Sequence, residues 1–175
     1  VGNSASFAIF AEKVIVEINT NLSPAFEGLH DIYIPTYRPT RQPIPLTKVD
    51  ERIGTQAINI DPAKIVGIVF NSELHDSPST VTAPDDETQS IANHLIAFFE
   101  KEVAEDRLPK NLGPLQAGIG SIANAVLTGL KESNFEDLIM YSEVLQDCTF
   151  ELIDAGKMKF ASGSSITLSA KYGEK

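Results

Sequence analysis

Two periodicities alternate along this chain, and their order predicts its architecture. Ala5 to Ala11 is mostly apolar and reads as a short helix, and Lys13 to Asn19 is a β-branched run with the composition of a buried strand. Prolines 24, 35, 39, 43 and 45 then exclude long regular elements between Asn21 and Pro45, which predicts a long, stiff loop carrying His30, Asp31, Arg38 and Arg41. Arg52 to Ile60 reads as a turn followed by a strand, Asp61-Pro62 as another turn, and Lys64 to Phe70 as an apolar strand. The Ser-, Thr-, Asp- and Pro-rich stretch from Ser72 to Pro84 has little to pack and reads as a linker. Helical spacing follows: Ile91, Leu95, Phe98, Phe99 and Val103 share one face, with Glu100, Lys101, Glu102 and Glu105 opposite. Asp86 with Gln89 resembles a capping box at its start, and Leu108-Pro109 ends it.

The remainder reads strand, helix, strand, helix, strand. Leu115-Gln116-Ala117 enters the turn Gly118-Ile119-Gly120, and Ser121 to Leu127 is helical. Asp137 to Tyr141 is a strand that delivers Ser142-Glu143 to its carboxyl end. Val144-Leu145, Phe150 and Ile153 predict a helix from Val144 to Ala155 with Gly156 as its stop. Lys157 to Ala161 is a last strand, Ser162 to Ser165 a small-residue loop, and Ile166 to Ser169 follows it. The alternation predicts an α/β fold, a mostly parallel sheet flanked by helices. Ligands of such sheets collect at the carboxyl ends of the strands, so Glu143 and the Gly118-Ile119-Gly120 turn are placed on one rim as the candidate active site.

Composition narrows the function. The 175 residues are 42% hydrophobic and 22% charged, enough for a packed core in one domain or parts of two. The formal charge of −10 argues against a nucleic-acid partner, which needs clustered Lys and Arg. A single cysteine, Cys148, excludes an intrachain disulfide and a zinc cluster, and fits a reducing compartment. Apolar runs stay well short of the ~20 residues of a membrane helix, so no membrane partner is expected. There is no initiator Met and no basic-then-apolar leader, and the opening residues look like the middle of a domain. The chain therefore reads as an internal piece of a longer protein.

Glycines at 118 and 120 let a ligand approach the backbone, and the amides at the start of the following helix can hold negative charge. The run is neither a convincing dinucleotide fingerprint nor a phosphate-cradling loop, because the Gly-Lys-Ser/Thr ending is missing. Glu143 has two readings. At the end of an apolar strand it is a partly desolvated nucleophile or base; beside a helix start it is a first-turn acid favoured by the helix dipole. His94 is given no chemistry, and neither Cys148 nor His75 has a partner at a spacing that supports thiol catalysis.

A family resemblance enters on Lys13 to Thr20, Glu27 to Tyr33, Pro43-Ile44-Pro45 and Asp50 to Gly54. Its strongest stretches are Arg107 to Leu112, Gly118 to Val126, and Tyr141-Ser142-Glu143-Val144-Leu145-Gln146-Asp147. In this order they resemble the acetyl-CoA hydrolases and succinyl-CoA:acetate CoA-transferases, the class I CoA-transferases. The resemblance implies that Glu143 attacks an acyl-CoA thioester and passes through an anhydride to a glutamyl-CoA thioester. It also implies that Gly118, Ile119, Gly120 and Asn124 form the oxyanion and substrate-binding set, with the Ile119 amide as donor. Coenzyme A is then a substrate rather than a tightly bound cofactor, and no metal is implied. The implied partners are acyl-CoA and short carboxylates, with a homodimer for the full-length protein in the cytoplasm or the mitochondrial matrix.

The same resemblance divides the chain into residues 1–72, the C-terminal part of a first lobe, 73–85, a linker, and 86–175, the N-terminal part of a second lobe that carries the glutamate. Family members also have a preceding lobe and a later glycine-rich oxyanion and CoA-binding loop beyond these residues, and they have glycine where Cys148 stands. The alternative is that the isolated piece is a non-catalytic structural module of such an enzyme.

Overall fold

The computed structural model describes residues 3–36, 39–73, 84–169 and 172. Arg38, His75 and most of the expected linker lie outside them. The chain forms two compact units, Val1–Ser77 and Pro78–Lys175.

In the first unit, helix α1 (Ser4–Phe10) precedes strand β1 (Val14–Asn19), which pairs in parallel with β2 (Ile65–Asn71). The Lys64 ammonium donates to the Ile9 carbonyl at 2.6 Å, tying the end of α1 to the start of β2. Among its described residues the proline-rich segment contains one short helical turn, Pro24–Phe26, capped by the Ser23 hydroxyl.

The strand expected before Ile60 is not formed. Ile32 and Thr55 make one isolated antiparallel bridge, and side chains hold the rest. The Asp31 carboxylate accepts the Gly54 N–H at 2.6 Å and the Ile53 N–H at 3.3 Å, while the Arg52 guanidinium donates to the carbonyls of Gly28, Leu29 and His30. Gly54 is required here, because a Cβ would stand 2.3 Å from the Ile32 carbonyl carbon. Asp61 caps the turn Pro62–Lys64 through the Ala63 N–H, as its Asp-Pro sequence predicts.

The burial expected of β1 is absent. Ile15, Val66, Ile68 and Phe70 are all more than half exposed. Parallel strands normally bury both faces, and this pair has neither face fully covered.

The second unit is a three-stranded parallel sheet in the order β3 (Pro114–Leu115), β4 (Leu138–Leu145), β5 (Met158–Ile166), with helices α2 (Asp86–Ala104), α3 (Ser121–Glu132) and α4 (Asp147–Asp154). Its core joins Leu127 and Leu130 of α3, Leu138, Met140 and Leu145 of β4, Leu152 of α4 and Met158 of β5. Ile96, Phe99 and Val103 of α2 pack against it, as their helical spacing predicts. This is the expected α/β fold with parallel strands and flanking helices.

Four boundaries differ from expectation, each for a local reason. Helix α2 is capped by Asp85, whose carboxylate accepts the Thr88 N–H at 2.8 Å, and the hydroxyl that reaches back is that of Thr88; Gln89 instead bonds Asn93. The helix ends at Ala104, before Leu108-Pro109, where Arg107 folds back to Glu102 and Glu105. Strand β4 runs on through Val144 and Leu145, so α4 starts at Asp147 rather than Val144. Strand β5 absorbs the expected loop Ser162 to Ser165, because those residues pair with Tyr141 to Val144. Gly156 does end α4, with φ 71°, a left-handed conformation that glycine adopts without steric cost.

Candidate active site

Strand β4 is the middle strand, and its side chains alternate. Met140, Ser142 and Val144 are buried on the helix side, whereas Tyr141 and Glu143 point to the other face and are exposed. Glu143 thus sits within the strand, two residues before its end, with its carboxylate open to solvent rather than partly desolvated. Its second expected role, the first-turn acid of the next helix, belongs to Asp147.

The β3–β4 pairing places Leu115 opposite Met140, and continuing that parallel register sets Ala117 beside Ser142 and Gly118 level with Glu143. Side chains confirm the alignment. Ser142 Oγ donates to the Ala117 carbonyl at 2.9 Å and accepts the Ala117 N–H at 3.2 Å. Gln146 Nε2 donates to the Gly118 carbonyl at 3.2 Å. On the other side, Ser164 Oγ donates to the Glu143 carbonyl at 2.8 Å. The stretch around Glu143 is therefore tied to the chain on both sides of β4.

The turn itself faces open space. A Cβ added at Gly118 or Gly120 would meet nothing within 4 Å, and Ile119 is 75% exposed. Among the described residues the Ile119 N–H has no hydrogen-bond acceptor. Such a donor can meet an oxygen that becomes negative during a reaction. Beside the turn lies a cavity of about 540 Å³, lined by Phe99, Leu115, Ala117, Ile119, Ile122 and Val126 among others. Glu143 is not among its lining residues, so this apolar hollow and the acid flank the turn separately.

Asn124 is turned away from the exposed side of the turn. It is buried, and its Oδ1 lies 3.5 Å from Cys148 Sγ across the α3–α4 contact. Burial pushes the Cys148 thiol up to about 11, removing it as a nucleophile near neutral pH. His94 is exposed and bonds the Ser90 carbonyl of its own helix. Among the described residues no group of three or more His, Cys, Asp and Glu is placed to hold a metal ion, and no helix is long and apolar enough to cross a membrane.

Gln146 was invisible to spacing arguments. Its partner lies 28 residues earlier in the chain. The available signal was its type: glutamine is not a preferred N-cap residue, so a glutamine opening a helix invites another use for its amide.

Comparison with known proteins gives relatives by sequence and by fold. Residues 1–70 match the family model of the acetyl-CoA hydrolase/transferase N-terminal domain. Over all 175 residues the chain is 47% identical to an acetyl-CoA hydrolase of Eremothecium gossypii and 46% identical to one of Schizosaccharomyces pombe, covering 33% of each. Over 173 residues it is 48% identical to an acetyl-CoA hydrolase of Neurospora crassa. The chain thus spans about a third of the length of these curated relatives. RipA from Yersinia pestis shares the fold, with a TM-score of 0.52 at 20% identity over 97% of this chain and 36% of that one.

Proposed function

We propose, from the premise that the chain belongs to the acetyl-CoA hydrolase/transferase family, that the full-length protein cleaves acetyl-CoA or a related short acyl-CoA at Glu143. The observation that carries this reading is the register that sets Glu143 level with Gly118, next to a bare Ile119 N–H.

A Glu143 carboxylate oxygen adds to the thioester carbonyl carbon, the carbonyl oxygen takes the charge, and the C–S bond breaks to release CoA thiolate. The resulting acyl–glutamyl anhydride is attacked at the glutamyl carbonyl by that thiolate. The acyl group leaves as a carboxylate, and a glutamyl-CoA thioester remains. An acceptor carboxylate then takes the CoA, or water cleaves the thioester and restores Glu143. Splitting one acyl transfer into such steps is what a covalent nucleophile contributes, and the Ile119 N–H supports the reading because it can meet the oxygen charged in each addition. Coenzyme A is a substrate here, and the enzyme works as a homodimer.

Glu143→Ala and Glu143→Asp in the full-length protein should each abolish turnover. Mass spectrometry of the wild-type protein after acyl-CoA should find CoA on the Glu143 peptide. Full activity in both variants, or the adduct on another residue, would defeat the mechanism.

A second reading concerns the 175 residues alone, as a structural module whose chemistry needs the rest of the polypeptide. Exposed Ile15, Ile68 and Phe70 favour it. Turnover by the isolated piece would reject it.

A further inference from the structure

The geometry assigns a positioning role to Gln146, resting on the reading of Glu143 and Ile119 given above: its side chain sets the direction of the Ile119 N–H. Three observations carry this. First, Gln146 occupies the N-cap of α4 and makes no side-chain cap bond. An N-cap side chain usually accepts from the next turn's amides, for which Ser, Thr, Asp and Asn are suited. The Gln146 amide, 92% buried with its residue, is spent elsewhere: Nε2 reaches the Gly118 carbonyl at 3.2 Å.

Second, the Gly118 carbonyl and the Ile119 N–H belong to one peptide group. That group is planar and trans, so its C=O and N–H point in opposite directions. Holding the oxygen fixes the line of the hydrogen. Gly118 has no side chain of its own to restrict this plane, and a Cβ there would meet nothing within 4 Å. Without Gln146 the plane is free to rotate about the flexible glycine.

Third, the preceding residue is gripped as well. Ser142 bonds both the N–H and the carbonyl of Ala117. The two side chains that hold the turn therefore come from positions one before and three after Glu143. One short stretch of sequence therefore carries the acid and holds the peptide that presents the donor. Gln146 forms and breaks no covalent bond in this role. It keeps the N–H pointed where the thioester oxygen becomes negative, so that no reorientation is required during the reaction.

The test uses the full-length protein with Gln146→Leu and Gln146→Met, which keep approximate size and lose the donor. Both should keep KM for acetyl-CoA within about twofold while kcat falls about 10- to 100-fold, less than the roughly 10²–10³-fold lost when an oxyanion donor is removed outright. The CoA adduct should still form on Glu143, more slowly in single-turnover measurements. A kcat at the wild-type level in either folded variant would overturn the assignment, as would KM rising in proportion to the fall in kcat/KM. Failure of both variants to fold would also overturn it, by making Gln146 a stability residue alone. The Glu143 variants keep the two questions apart: if they stay active the mechanism itself falls, whereas inactive Glu143 variants beside unimpaired Gln146 variants remove only the positioning role.

Discussion

Ser142 bonds Ala117 twice through one hydroxyl, donating to its carbonyl and accepting from its N–H. The side chain thereby extends a strand pairing that the backbones of β3 and β4 maintain only at Pro114 and Leu115. Ser142→Ala leaves a buried N–H and a buried carbonyl without this partner, at a cost of about 1–3 kcal/mol. Denaturant unfolding of the full-length protein should show that loss, together with slower turnover, because the glycine turn loses one of the two side chains, Ser142 and Gln146, that hold it.

The second unit depends on a small core, and Leu138 is fully buried at the point where β4 leaves the α3 turn. Leu138→Ala should destabilise by about 2–5 kcal/mol. Calorimetry or denaturant titration would detect it; a loss below about 0.5 kcal/mol would mean that this core is not packed as described.

Cys148 should be a poor target for alkylation. Burial raises its pKa from 9.0 to about 11, which leaves about a hundredfold less thiolate than an ordinary cysteine near pH 8. Iodoacetamide labelling followed by mass spectrometry should show slow modification of the native protein and rapid modification once denaturant is added.

Asp85 gives the molecule an acid-sensitive helix start. The Thr88 N–H, and then the Thr88 hydroxyl, hold its carboxyl below the usual range. Because the folded value lies below the unfolded one, this stabilisation is fully present above the ordinary carboxylate pKa of about 4 and is lost as pH falls through the lower folded value. Asp85→Asn should therefore flatten the decline of melting temperature below about pH 4 relative to the wild type. An unchanged slope would show that the cap does not titrate with folding.

The alternation of strands and helices was legible because hydrophobic period is a local property: Ile91, Phe98 and Phe99 announce α2, and Lys157 to Phe160 announce β5. The ends of elements were less legible. Ser162 to Ser165 has loop composition, yet it lies beside β4, and backbone pairing outweighs the weak preferences of Ser and Gly. The same neighbour draws Val144 and Leu145 into the strand and moves the start of α4 to Asp147. At the site, the general rule for parallel sheets puts Glu143 and the glycine turn on one rim. The exposure of the carboxylate does not follow from that rule, because it depends on what covers the far face of the sheet. The Gln146–Gly118 bond is non-local and has no counterpart in spacing.

The clasp on Glu143 from both sides has a consequence for how such a catalyst can move. With Ser142 fastened to Ala117 just past β3 and β5 fastened to the Glu143 carbonyl, the root of this acid is anchored, and its three side-chain torsions remain as a swinging arm. On the mechanism we propose, whatever it carries between successive encounters travels no farther than that arm's length. Donor and acceptor would then visit the same spot in turn, and choice among them would fall to the walls around it.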